Sequence, residues 1–153
     1  MKKPYFPNRE GDPPPLRTTV KRRVRFEEVD PMGIVWHGRY VGYFEDGRVA
    51  LGSRYGIGYE EFFRHGVPAP IRKMQLDYLE PLRFQEDFEI EAILHWSDAT
   101  RLDFEFLIRS SNGSLVATGC SVQLMLDRAG GLLLLPPPFV RDLREKWKAG
   151  LLG

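Results

Sequence analysis

Residues 102–126 read LDFEFLIRSSNGSLVATGCSVQLML, and this stretch decides the fold class. On either side of Asn112-Gly113, apolar side chains occupy every second position, as in strands with one buried face. Asn-Gly is typical of a two-residue turn, because both central residues of such a turn need positive φ. The stretch therefore predicts an antiparallel hairpin of two strands, over 102–108 and 116–126.

The same alternation recurs elsewhere in the chain and completes a sheet. In the run nearest the N-terminus, Val20, Val24 and Phe26 share the parity that we expect to face inward. Because consecutive strands joined by tight loops must be antiparallel, the fold class is α+β. The further strands are predicted over Thr19–Glu28, Ile71–Tyr78 and Phe88–Trp96.

Between the first two strands, helical spacing of apolar residues predicts one long helix over His37–Tyr55. Its glycines lower helix propensity, so we expect another surface to pack closely against it. It is also the only predicted element large enough to cover one face of a five-stranded antiparallel sheet. Shorter helices are predicted over Tyr59–His65 and Phe139–Lys148.

Length and composition set the domain organisation. A chain of 153 residues fits one domain, which we place at residues 17–150. Residues 1–16 contain five of the 12 prolines and little apolar content, so we expect a flexible extension without helix or strand. A single cysteine excludes an internal disulfide and fits a reducing compartment.

Charge and spacing exclude several kinds of partner. The net charge of +1 gives no field that would recruit nucleic acid or an acidic membrane. The longest uncharged apolar run, Leu132–Val140, is too short for a membrane span and contains three prolines. The three histidines show no metal-binding spacing, so we expect no metal and no cofactor. A cytoplasmic protein is the default prediction.

The chemically informative residues lie where the chain enters the long helix. Asp30 is in the loop before the helix, and a helix N-terminus offers unpaired N–H groups that can stabilise an oxyanion. A carboxylate beside such an end can act as nucleophile or general base, which is what acyl transfer requires. Asp30 could instead be a helix N-cap or turn residue. His37 could simply begin the helix, and Glu45 could pair with Arg48 on the helix surface.

The run Asp-x-x-Gly-Ile-Val-x-His-x-x-Tyr-x-x-Tyr-x-Glu, from Asp30 to Glu45, resembles the signature of the 4-hydroxybenzoyl-CoA thioesterase family of hotdog-fold proteins. It is similar in particular to bacterial short acyl-CoA thioesterases associated with the Tol-Pal cluster. The segment from Met74 to Ile90 is similar to the family's second recognisable stretch. The resemblance covers residues 20–126 and leaves out the Pro-rich start and the C-terminal tail.

The resemblance implies a fold, a reaction and site residues. The fold is a five-stranded antiparallel sheet wrapped around the long helix, and the reaction is hydrolysis of an acyl-CoA thioester. Asp30 takes the catalytic carboxylate position, and His37 lies beside the reacting carbonyl with its backbone N–H as oxyanion donor. Phe26 stands where related members often have a tyrosine, so a hydroxyl is missing there. The candidate backbone residues of the oxyanion site are Gly33, Val35, Trp36 and His37.

Substrate and subunit contacts complete the expectations. Tyr40 is a candidate for lining the acyl pocket, although core packing is the commoner role for an aromatic residue at helical spacing. Arg72 and Lys73 are candidates for the phosphates of coenzyme A. The apolar strand 116–126 and the sheet edges favour a homodimer or homotetramer. Two other functions stay open: an enoyl-thioester hydratase, and a non-catalytic module that binds an acyl thioester or acyl-carrier protein.

Overall fold

The computed structural model describes residues 4–152 and confirms the α+β hotdog fold. Five antiparallel strands form one sheet in the order β1-β3-β4-β5-β2, and helix α1 packs against one of its faces. The elements are β1 Leu16–Arg23, α1 Tyr40–Tyr55, α2 Tyr59–Arg64, β2 Ile71–Tyr78, β3 Asp87–His95, β4 Arg101–Ser110, β5 Leu115–Leu124 and α3 Pro138–Lys148, with 3₁₀ turns at Phe26–Glu28 and His37–Arg39.

The hairpin predicted from Asn112-Gly113 is present between β4 and β5. The turn itself differs from the predicted two-residue turn: Ser110 and Ser114 close it through a backbone hydrogen bond of 3.0 Å with three residues between them, and only Gly113, not Asn112, has a positive φ, at +85°. Phe104 and Phe106 point toward α1, as the alternation predicts, and both are fully buried. The alternation in residues 102–126 was therefore sufficient to identify two of the five strands.

The prediction for the first strand was wrong at both ends. The strand begins at Leu16 and ends at Arg23, five residues before the predicted end. Val24 is buried, but the next residues leave the sheet in a 3₁₀ turn, in which the Glu28 carboxylate accepts the backbone N–H of Arg25 at 2.8 Å. Phe26 is consequently 78% exposed and packs only edge-on against Phe84.

Helix α1 packs closely on the sheet where Phe44 lies against Gly119 of β5, a contact that we call the interlock. A Cβ on Gly119 would meet the Phe44 ring and the carbonyl oxygen of Gln75, each at 2.4 Å. Phe44 uses this space and stacks on Phe106 with ring centroids 4.7 Å apart. The close packing predicted from the glycines of α1 is found at Gly47, which lies against β3, but not at Gly42, which faces open space.

A buried arginine also ties the helix to the sheet. Arg48 pairs with Glu45 as the sequence suggested, but it is only 3% exposed and therefore does not lie on the helix surface. Its guanidinium donates to the Ser121 hydroxyl at 2.5 Å and lies over the rings of Phe104 and Phe106. These contacts replace part of the hydration that the charge loses on burial.

Within the predicted extension 1–16, residues 4–15 contain no helix or strand, Leu16 begins β1, and residues 1–3 lie outside the described residues. Residues 4–15 run along the face of the sheet opposite α1. Tyr5 hydrogen-bonds to side chains of β2 and β5, and the carbonyl of Pro14 accepts the indole N–H of Trp147 at 2.7 Å. None of the helices within residues 4–152 is long and apolar enough to cross a membrane.

Replacing glycine by alanine should lower stability at Gly119, in the interlock, and raise it at Gly42, which faces open space. Gly119→Ala should lower the free energy of unfolding by about 1–3 kcal/mol, because the added methyl group must displace Phe44 or the backbone of β2. Gly42→Ala should raise it by about 0.5–1 kcal/mol, because the site is open and alanine is the better helix former. Urea unfolding of both variants measures these changes in the free energy of unfolding. Equal stability of Gly119→Ala and wild type would contradict the interlock.

Candidate functional site

Asp30 closes a tight turn, and this turn fixes its side chain. Its backbone N–H donates to the carbonyl of Ile34 at 2.8 Å, and its own carbonyl accepts the N–H of Gly33 at 2.9 Å. Its Oδ1 accepts the N–H of Met32 at 2.8 Å. Gly33 has a φ of +77°, a conformation that glycine adopts without strain. The turn-residue alternative is therefore correct for one carboxylate oxygen, but Asp30 is not a helix N-cap.

The second carboxylate oxygen of Asp30 has no hydrogen-bond partner within residues 4–152. Asp30 lies at a cleft of about 310 Å³ whose lining is mostly apolar and aromatic. This cleft brings together the predicted residues Asp30, Val35, His37 and Tyr40. Its remaining lining residues are Met32, Ile34, Tyr78, Leu79, Glu80 and Pro81.

The start of the helix supplies free hydrogen-bond donors beside this carboxylate. Neither Trp36, which caps the 3₁₀ turn, nor Arg39, which caps α1, makes a side-chain cap. The N–H of Arg39 donates to the carbonyl of Trp36, but those of His37 and Gly38 have no acceptor in the described part of the chain. His37 lines the cleft together with Asp30, whereas Gly38 is not among its lining residues. Unpaired N–H groups at a helix start are donors of the kind that can stabilise an oxyanion.

The prediction of oxyanion donors was wrong for the N–H groups of three other loop residues. The N–H of Gly33 donates to Asp30, that of Val35 to Leu82 at 2.8 Å, and that of Trp36 to Glu28 at 2.9 Å. These bonds hold the loop between neighbouring segments, so the three groups are not available to a ligand. A Cβ at Gly33 would meet nothing within 4 Å, and Gly33 is not among the lining residues of the cleft.

Tyr78 is a site residue that sequence reasoning missed. Its hydroxyl donates to the carbonyl of His37 at 2.6 Å, and its ring packs edge-on against Tyr40 with centroids 5.2 Å apart. The carbonyl of His37 and the N–H of Gly38 belong to the same peptide group, so Tyr78 orients that N–H. The available signal was its place at the end of β2 on the parity that faces α1.

The aromatic residues beneath the cleft are neutral and buried. Tyr40 is 3% exposed, and burial raises the pKa of its phenol. Burial, followed by the nearby Glu28 carboxylate, raises the pKa of Tyr43. Both phenols therefore remain uncharged at neutral pH, and of the two only Tyr40 lines the cleft. Tyr40 serves both the core and the cleft, so the two roles weighed from the sequence do not exclude each other.

The two predicted phosphate ligands do not lie in this cleft. Arg72 and Lys73 are exposed near the start of the edge strand β2, whereas the cleft lies at its end. A separate cavity of about 600 Å³ lies beside Lys21, Arg22, Arg23 and Arg109. It contains neither Asp30 nor His37, and three of its four cations are paired with carboxylates: Arg22 with Asp46, Arg23 with Asp87 and Arg109 with Glu91.

Other chemistry finds little support in the described residues. Within 4–152, no three His, Cys, Asp or Glu side chains are grouped to hold a metal ion. Cys120 is buried, and burial raises the pKa of its thiol, so it is poorly suited to be a nucleophile. Phe26 does not line the cleft.

Comparisons with known proteins agree with this architecture. A "Putative acyl-CoA thioesterase YneP" from Bacillus subtilis is 28% identical over 105 residues, covering 69% of this chain and 76% of that protein. "Acyl-CoA thioester hydrolase YbgC" from Escherichia coli O6:H1 is 27% identical over 104 residues, covering 66% and 78%. A crystal structure of a DHNA-CoA thioesterase from Staphylococcus aureus superposes with a TM-score of 0.77 over 87% of this chain and 91% of that one; at 20% identity it supports the fold alone.

The family assignment follows from a match that spans most of the sheet, α1 and the cleft. The model of the Thioesterase-like superfamily matches residues 24–146, which include Asp30 and the start of the helix. The chain belongs to the Thioesterase-like superfamily.

Proposed function

We propose that this protein is an acyl-CoA thioesterase, which hydrolyses the C–S bond of an acyl-CoA to a carboxylic acid and free coenzyme A. The family and the names of the two bacterial relatives support this reaction class. The observation that carries it is local: an oxygen of Asp30 that has no partner within residues 4–152 shares one cleft with His37, where the helix begins with N–H groups that likewise lack a partner in that range.

The reaction follows from that arrangement. The thioester carbonyl oxygen accepts the N–H groups of His37 and Gly38, which stabilise the negative charge of the tetrahedral intermediate. In one route the Asp30 carboxylate attacks the carbonyl carbon, the C–S bond breaks, and water then hydrolyses the acyl–Asp30 anhydride. In the other route Asp30 takes a proton from a water that attacks the carbonyl carbon, and the C–S bond then breaks. One water is consumed, the acyl group leaves as the acid and the sulfur leaves as thiol. The imidazole of His37, exposed at the cleft, assists the departing sulfur.

We place the chain in the 4-hydroxybenzoyl-CoA branch of the superfamily, near the Tol-Pal-associated enzymes, on the strength of the run from Asp30 to Glu45. A cytoplasmic location belongs to this proposal, as does a reaction without cofactor. Phe26 is exposed and does not line the cleft, and the hydroxyl that related members carry there has no counterpart at that position.

The test of the proposal is release of free thiol from a panel of acyl-CoA esters. Asp30→Asn should lower kcat about 10²- to 10⁴-fold, because the amide can neither attack nor accept a proton. The matched control is Asp127→Asn. Asp127 makes the same kind of turn, with Oδ1 accepting the N–H of Ala129 at 2.9 Å, but it does not line the cleft.

Equal rates for Asp30→Asn and wild type would remove Asp30 from the mechanism. If wild type binds acyl-carrier protein and cleaves no thioester, the chain is a binding module and the proposal fails.

Tyr78→Phe tests the orienting role of the Tyr78 hydroxyl. The variant keeps the ring that packs on Tyr40 and loses one hydrogen bond, so kcat should fall up to about tenfold while KM stays the same. Tyr59→Phe is the control, since Tyr59 lies outside the cleft and its hydroxyl is 3.4 Å from Arg48. A higher KM with an unchanged kcat would show that Tyr78 only shapes the binding surface.

We further propose that two copies pair through β2. The two edges of the sheet are β1 and β2. β1 contains Arg17, Lys21, Arg22 and Arg23 and no acid, so antiparallel pairing with itself would oppose like charges. β2 contains basic residues near its start and Asp77 near its end, so antiparallel pairing with itself opposes unlike charges.

Such a dimer gives Arg72 and Lys73 a place near the substrate. Antiparallel pairing puts the start of one β2 beside the end of the other, where Tyr78 and Leu79 line the cleft. The partner subunit's Arg72 and the partner subunit's Lys73 then lie at the mouth of the cleft, within reach of coenzyme A.

The double variant Arg72→Ala/Lys73→Ala should raise KM for acyl-CoA roughly 5- to 30-fold, at about 1 kcal/mol for each exposed charge, with kcat unchanged. The same acyl group on pantetheine, which lacks the nucleotide phosphates, should show no change. Lys21→Ala/Arg22→Ala is the matched control at the other cationic cavity. If the control raises KM and the test variant does not, the phosphates bind at that cavity instead.

A further inference from the structure

We propose that Glu80 makes the cleft select acyl groups without a negative charge, so that acyl-CoA esters whose acyl chain ends in a second carboxylate are disfavoured. Glu80 lines the cleft together with Asp30. The inference rests on the proposed function, because it names the class of acyl group that the same cleft accepts. It does not depend on whether Asp30 acts as nucleophile or as general base.

The lining of the cleft is anionic. It contains two carboxylates, those of Asp30 and Glu80, and it contains no lysine or arginine. Arg39, which lies close by in the chain, donates its guanidinium to the carbonyl of Glu27 at 2.9 Å and does not line the cleft. A carboxylate at the end of an acyl chain would therefore meet like charges and no cation among the lining residues.

Glu80 is held in the wall of the cleft by the turn between β4 and β5. Its Oε2 accepts the hydroxyl of Ser114 at 3.1 Å, and its backbone N–H donates to the carbonyl of Val116 at 3.0 Å. The N–H of Ser114 donates in turn to Oδ1 of Asn112 at 2.9 Å. Because these bonds restrain Glu80, its charge stays beside the cleft although the side chain is exposed.

No cation neutralises this charge within the described residues. Glu80 forms no ion pair within 4–152, and its second carboxylate oxygen accepts no hydrogen bond there. A carboxylate that entered the cleft would lose hydration without gaining a partner, which costs free energy. An uncharged acyl chain loses no such hydration and gains apolar contacts with Ile34 and Leu79.

The same charge favours release of the product. Hydrolysis converts an uncharged thioester into a carboxylate inside the cleft that Glu80 lines. Repulsion between like charges then weakens binding of the product acid. The cleft is thus suited to bind an uncharged acyl group and to release a charged acid.

The experiment compares ligands that differ only in the last group of the acyl chain. Butyryl-CoA ends in a methyl group, and succinyl-CoA carries a carboxylate at the same position. Their thioether counterparts, S-butyl-CoA and S-(3-carboxypropyl)-CoA, cannot be hydrolysed, so calorimetry gives their dissociation constants without turnover. The value of kcat/KM for the two esters is measured after spontaneous hydrolysis has been subtracted.

Wild type should bind S-butyl-CoA about 10-fold or more tightly than S-(3-carboxypropyl)-CoA, and kcat/KM should differ in the same direction. Glu80→Gln keeps the size of the side chain and removes its charge, so it should lower this ratio roughly 2- to 5-fold. Glu80→Lys should lower it further. Higher ionic strength should lower the ratio in wild type and have less effect in Glu80→Gln, because salt screens an exposed charge. A purely steric role of Glu80 would not respond to salt.

Glu89→Gln is the matched control. Glu89 lies at the same end of the sheet as Tyr78, but it lines the cavity beside Lys21 and not the cleft. Its removal should leave the ratio unchanged. If Glu89→Gln lowers the ratio as much as Glu80→Gln, the discrimination comes from the general charge of the protein and the proposal is overturned.

Three other results would overturn the proposal: equal binding of the two thioethers to wild type, binding of neither, or a ratio that Glu80→Gln leaves unchanged. The last of these is expected if the partner subunit's Arg72 or the partner subunit's Lys73 neutralises Glu80 in the dimer. Failure of the proposed function has a different signature, since no thiol is then released from butyryl-CoA while the ratio of the thioethers is still measurable.

Discussion

The contact between Phe44 and Gly119 determines where the whole site lies. Any side chain at Gly119 would collide with the Phe44 ring, so the absence of one lets α1 approach the sheet closely. The distance of α1 from the sheet in turn sets the position of the 3₁₀ turn that precedes it, which contains His37 and Gly38. The loop before the helix is bound to the segment before β3, through Val35 and Leu82, and so is held to the same frame. A packing contact in the core thus controls the geometry of a site at the surface.

Asp30 shows how one side chain can carry a structural and a chemical task at once. Its Oδ1 and its backbone groups form the turn, while the other oxygen is left unpartnered within the described chain. Asp127 forms the same turn elsewhere in the fold. The turn alone therefore does not make a site. What distinguishes Asp30 is that the helix start without a side-chain cap lies at the same cleft. There the Tyr78 hydroxyl donates a hydrogen bond to the carbonyl of His37.

Much of the fold could be read from the sequence, because its signals are local. Alternation over 102–126 and the Asn112-Gly113 turn identified β4 and β5, and helical spacing identified α1 within a few residues. Phe26 was misplaced because alternation continues past Arg23, although the chain leaves the sheet there in a turn stabilised by Glu28. Parity cannot show that a hydrogen bond within the loop has replaced the sheet.

The remaining site features depend on contacts between distant residues, and no local pattern contains them. The sequence does not show that the N–H groups of Val35 and Trp36 donate to the carbonyls of Leu82 and Glu28. The bond from Tyr78 to His37 joins residues 41 positions apart. The docking of Tyr5 on Thr118 spans 113 positions. Composition alone predicted a flexible extension. A high proline content indicates that a segment lacks helix and strand, but it does not show which surface the segment contacts.

The most direct test of the account is a crystal structure of Asp30→Asn with an acyl-CoA bound. The thioester oxygen should lie about 2.7–3.1 Å from the N–H nitrogens of His37 and Gly38, with residue 30 facing the carbonyl carbon at about 3–3.5 Å. An acyl-CoA bound with its thioester away from these two N–H groups, in the cavity beside Lys21 or elsewhere, would contradict the account.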